Sequence, residues 1–94
     1  MLTRQECVQR MFTQLPDIQN KLSPIVYGTG CVSDMIKTEQ DLQIVAVTMF
    51  CFGYKAEYEL WKNTIKISNE EERANTLITV CESFLSSLEK EVQM

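Results

Sequence analysis

The side chains with most chemistry to offer are four cysteines, Cys7, Cys31, Cys51 and Cys81, in a chain of 94 residues that contains no histidine. They stand 20 to 30 residues apart with no C-x-x-C pair. The close ligand spacing of a structural zinc site is therefore missing, and no metal centre is expected. Cys7, Cys51 and Cys81 fall on or beside apolar helical faces, which predicts buried, reduced thiols. Cys31 lies beside Gly28-Thr29-Gly30 and is the position where a redox switch would sit. That glycine turn lacks the Lys-Ser/Thr of a phosphate loop and the longer spacing of a dinucleotide fingerprint, so it reads as a hinge. Without histidine, general acid–base work would fall to a tuned carboxylate, cysteine, lysine or tyrosine. The acids cluster at helix starts and outer faces, where burial does little to tune them. Glu57 is the exception, projecting between two apolar stripes, and reads as a paired residue at a packing margin. No catalytic residue and no cofactor are expected, and the chain does not read as an enzyme.

A different kind of chemistry is written in the aromatic residues. Phe50, Tyr54, Tyr58, Trp61 and Ile65 recur at helical spacing. Tyrosine and tryptophan are enriched at interface centres because they join a large apolar area to a polar edge. These five are the candidate partner-binding residues.

The element that must carry them is the stretch 42–65. From Leu42 to Tyr54 it has no charge, and ten of those thirteen residues are apolar. A strand would put Lys55, Glu57 and Glu59 on the same side as the aromatic residues, with no turn signal near Gly53. A helix, at about 100° per residue, sorts the stretch into faces. Leu42, Val45, Ala46, Met49, Gly53, Ala56 and Leu60 form a small-residue stripe. Val47, Phe50, Tyr54, Tyr58, Trp61 and Ile65 form an aromatic one. Thr48, Lys55, Glu59, Lys62 and Lys66 share the polar face. The spacing predicts one long helix, started by Thr38 and Asp41, that is apolar on two faces and needs a cover on each.

The flanking helices supply those covers. Thr3 and Glu6 make a capping box for a first helix, 4–22. Its face is Cys7, Val8, Met11, Phe12 and Leu15, with Pro16 as kink or boundary before a short segment, 17–22. Ser23-Pro24 reads as a fresh helix start ending at Gly28, and Cys31 to Ile36 as a further turn. Ser68 with Glu71, or Asn69 with Glu72, caps a last helix, 69–92. Glu70, Glu71 and Glu72 sit where the helix dipole favours negative charge. Ala74, Leu77, Ile78, Cys81, Phe84, Leu85, Leu88 and Val92 give this helix a single stripe.

Composition agrees with this outline. Hydrophobic residues make up 45% and charged residues 23%, with three glycines and two prolines, as suits one all-α domain over residues 1–94. The expected fold is a small bundle of three main helices, 4–22, 38–66 and 69–92, plus one or two short helical turns. No signal peptide is read at Leu2-Thr3-Arg4, and the apolar run is too short for a bilayer, so a cytoplasmic protein is expected. The net charge of −4 is uneven: residues 38–94 hold ten acids against five Lys/Arg. A nucleic-acid groove is therefore not expected. The function expected is an interaction module of regulator, chaperone or adaptor type. It would bind another protein chain, its own copy or a different one. Two other classes are compatible with the residues. One is a carrier of a small apolar ligand held between the stripes. The other is an acidic nucleic-acid mimic that inhibits a DNA-binding protein.

Overall fold

Four helices and their connecting turns account for residues 3–30 and 32–92, which the computed structural model describes except for the side chains of 32 and 92. They are α1 (Arg4–Val26), α2 (Val32–Cys51), α3 (Lys55–Thr64) and α4 (Glu70–Val92). The fold is all-α, a four-helix bundle, with four helices where the sequence predicts three and short turns.

The first helix starts as predicted. The Thr3 hydroxyl accepts the Glu6 backbone N–H at 3.2 Å. It does not break at Pro16, however, and Ser23-Pro24 lies in its last turn rather than starting a new helix. An interior proline removes one helical hydrogen bond and costs ~3 kcal/mol. Both prolines are exposed, so water can serve the carbonyls they leave unpaired. The opposite face is an unbroken stripe of Val8, Met11, Leu15, Ile18, Leu22 and Ile25, all buried. Six buried apolar side chains at roughly 1.5–3 kcal/mol each outweigh two prolines. The helix runs past its predicted end at 22 to Val26 and stops through a left-handed glycine cap at Gly28, where the separate short turn was predicted to end. Gly28 has φ +75°, its N–H reaches the Ile25 carbonyl at 3.1 Å and the Thr29 N–H reaches Pro24 at 2.8 Å.

The central element is corrected more deeply. It begins at Val32, not Thr38, and Thr38 is a buried mid-helix residue whose hydroxyl donates to the Asp34 carbonyl at 2.7 Å. It is also two helices. At Gly53, φ is +98°; Gly53 N–H bonds to Phe50 at 3.0 Å and Tyr54 N–H to Met49 at 2.9 Å. The same glycine cap therefore stops α2, and the chain folds back as α3. The small-residue stripe splits with it. Leu42, Val45, Ala46 and Met49 are buried, whereas Gly53, Ala56 and Leu60 are exposed. Helical phase resumes after the turn, which is why periodicity alone ran the two helices together.

For α4 the second capping pair is the real one: Asn69 Oδ1 accepts the Glu72 N–H at 2.8 Å. Ala74, Leu77, Cys81, Phe84 and Leu88 are buried, joined by Val80, while Ile78 and Leu85 are half-buried. The Val92 side chain of the predicted stripe lies outside the described residues, as does Cys31.

The helices form a ring, α1 beside α4 and α2, and α3 beside α2 and α4. Gln19 of α1 donates to the Ile78 carbonyl at 3.0 Å, and Arg4 pairs with Glu91, so α1 and α4 are antiparallel. At the other end, Arg73 Nε meets Glu39 Oε1 at 2.5 Å and its Nη1 donates to Ile67. The short α3 lies antiparallel to both α2 and α4. One buried cluster drawn from all four helices fills the centre. No helix is long and apolar enough among the described residues to cross a membrane.

Candidate functional site

Each helix of a bundle turns one face to the core and one to water, and the outer face is ordinarily polar. The exposed positions of α1 and α4 obey this: Gln5, Gln9, Arg10, Thr13 and Asp17 on one, Glu70, Glu71, Asn75, Glu82 and Glu89 on the other. The outer face of α2 does not. Ile36, Ile44, Val47 and Phe50 are 54%, 66%, 43% and 45% exposed. Between Leu42 and Cys51 no charged residue interrupts the helix. Burial of the opposite stripe, Met35, Leu42, Val45, Ala46 and Met49, fixes this orientation.

Along that face Ile36, Gln40, Gln43, Val47 and Phe50 are spaced 4-3-4-3, the interval of a coiled-coil seam. Ile44 and Cys51 flank it on one side. On the other side α3 adds its edge. Phe50 packs against Tyr58 with ring centroids 4.8 Å apart, and Tyr58 against Trp61 at 5.6 Å. A shallow groove of about 240 Å³ runs between the helices, lined by Ile36, Glu39, Gln40, Gln43, Trp61 and Ile65.

The five predicted partner-binding residues thus divide. Phe50, Tyr58, Trp61 and Ile65 come together along the α2–α3 junction, with Phe50 and Ile65 exposed, Tyr58 half-buried and Trp61 only 6% exposed. Trp61 is a wall of the groove rooted in the core. Tyr54 belongs elsewhere. Its hydroxyl donates to Glu91 Oε2 at 2.5 Å, tying the α2–α3 turn to the end of α4. Arg4 completes that clasp: it bonds Glu91, donates from Nη2 to the Phe52 carbonyl at 3.2 Å, and stacks on the Phe52 ring at 4.8 Å. The Arg4 and Tyr54 hydrogen bonds, in that order, hold the Glu91 carboxyl below its usual range. The bond to Glu91 and partial burial push the Tyr54 hydroxyl up.

Ile36, Gln40, Gln43 and Ile44 are the members that sequence reasoning missed. Ile36 lies before the predicted helix start at Thr38, and the two glutamines hide an apolar stripe from a search for apolar residues. The 4-3-4-3 interval was the signal available.

The remaining chemical candidates are placed as follows. Glu57 is half-buried between α3 and α4 and accepts the Ser87 hydroxyl at 2.6 Å. Cys81 is buried, and desolvation pushes its thiol up to about 12. Cys7 is half-buried, and Cys51 is exposed, contrary to the predicted burial, because the helix turns it outward beside Phe50. Gly28 serves as a helix cap. Among the described residues no three Cys, Asp or Glu side chains gather into a possible metal site. Set against known proteins, the chain matches no family model, no curated protein and no solved structure.

Proposed function

We propose that the protein is a protein–protein interaction module, of the regulator, chaperone or adaptor type, whose α2–α3 face receives a second protein chain. The observation that carries this reading is the outer face of α2, where four large apolar side chains lie exposed, three of them within the charge-free stretch Leu42–Cys51. Leaving such side chains in water forgoes roughly 25 cal/mol per Å² of apolar surface. A patch of this kind, rimmed by polar residues, marks an interaction site. Tyr58 of α3, packed on Phe50, and Ile65 just past its end extend the same surface across α3.

Photo-crosslinking tests the reading in cells that make the protein. A photoreactive residue at Val47 is expected to give products heavier by a protein chain, and one at Glu82, on the polar face of α4, is not. Absence of products from Val47, or equal yield from both positions, overturns the assignment of the face.

A further inference from the structure

We propose that the chain seated on the α2–α3 face is a second copy of this protein, paired through an antiparallel α2–α2 seam; the inference rests on the reading of the face given above. Three features of the face favour self-pairing. First, it is uncharged from Leu42 to Cys51. In an antiparallel pairing each copy's uncharged stretch lies along residues 32–41 of the other, so two copies that each carry −4 can meet without placing like charges together.

Second, the polar members are self-complementary. An amide side chain carries both donor and acceptor, so glutamine satisfies glutamine. In a two-fold antiparallel seam with the 4-3-4-3 interval, Gln40 faces Gln43 of the other copy twice. Ile36 then faces Val47 twice, outside the amide pairs. An apolar partner would leave both amides unpaired, which costs more than the hydrogen bonds gain. Polar residues at seam positions also fix register.

Third, the face offers an area that, fully covered, approaches what a stable pair needs. The exposed parts of Ile36, Ile44, Val47, Phe50 and Ile65 amount to roughly 500 Å² a copy, and Gln40, Gln43, Cys51 and Tyr58 bring the face near the about 800 Å² a side of a standard stable interface. A two-fold contact uses this patch twice and closes on itself.

Sedimentation of the purified chain over a hundredfold concentration range, up to ~0.2 mM, reads the oligomeric state. The mass of two chains is expected. Val47→Glu and Ile44→Glu, both at exposed positions, are expected to raise the dimer dissociation constant at least about tenfold with an unchanged helical circular dichroism spectrum. Orientation is read by charge pairing. Gln40→Lys alone weakens the dimer, and Gln40→Lys with Gln43→Glu in the same chain restores it, since each lysine then faces a glutamate across the antiparallel seam. A parallel seam would set lysine against lysine, and the double variant would stay dissociated. A single-chain mass at ~0.2 mM, or a dimer indifferent to Val47→Glu and Ile44→Glu, overturns the proposal. A single-chain mass combined with Val47 crosslinks to a different protein would overturn self-pairing and leave the docking face standing.

Discussion

Gly53 is a position where one missing Cβ decides the topology. Its φ of +98° is forbidding for other residues, although a Cβ there would meet no atom within 4 Å. Space is free and backbone conformation is not. Gly53→Ala is therefore expected to lose about 1–2 kcal/mol in urea unfolding, the cost of a left-handed L-residue, although helix propensity alone would predict a gain. Gly53→Asn should lose less, because asparagine tolerates that region. Glu91 gives the second test at this scale. Its folded pKa is depressed by Arg4 and Tyr54, so the stability it contributes is present above the unfolded carboxylate pKa. That contribution disappears as pH falls through the folded one. Glu91→Gln should accordingly lower the melting temperature at pH 7 and much less at about pH 3. The thiols make a third. Cys51 should react with a maleimide in the folded monomer, at concentrations too low for pairing, and Cys81, fully buried, only as fast as the protein unfolds globally. Native-state labelling of Cys81 at the Cys51 rate would contradict the packing of α4 on α1.

Among the helices, α1 shows tertiary packing overriding a local rule. Pro16 was legible as a breaker, and as a local statement that is correct. The buried stripe from Val8 to Ile25 was legible too, in pieces on either side of the proline, and the comparison of magnitudes decides between them. Pro16→Ala restores the N–H that the Phe12 carbonyl lacks, at an exposed site. It should stabilise by about 2–2.6 kcal/mol, the ~3 kcal/mol propensity difference less the ~0.4–1 kcal/mol of entropy that proline removes from the unfolded chain. Chemical denaturation reads it, and a loss of stability would mean that the helix is bent at Pro16 in a way its neighbours require. The same contest hid the α2–α3 turn. Gly53 sits inside a segment whose apolar phase is kept on both sides, and a glycine within a helical pattern is ambiguous between a weak point and a cap. The helix starts at Thr3 and Asn69 were readable because a side chain makes the cap. The start at Val32 was not, because buried Thr38, bonded to the Asp34 carbonyl, imitates a capping residue in sequence.

At the scale of the whole bundle, the aromatic residues were legible as a group but not as two roles. Ring contacts join Phe50, Tyr58 and Trp61, and only the three-dimensional placement separates Trp61, inside, from Phe50, outside. Trp61→Ala should then destabilise the monomer by about 3–5 kcal/mol, as large-to-small core changes do. Phe50→Ala should leave the melting temperature of the monomer nearly unmoved. Equal effects from the two would erase the distinction between wall and surface. The most extensive pairing in the ring is that of α1 with α4, the first helix and the last. Closing it joins Arg4 to Glu91 across 87 residues of chain. Loop closure must precede that gain, so folding should be slower than in bundles whose neighbours in space are neighbours in sequence. During synthesis α2 can cover only part of the α1 stripe, and the rest waits for α4. The chain therefore completes its fold only after translation has passed Leu88.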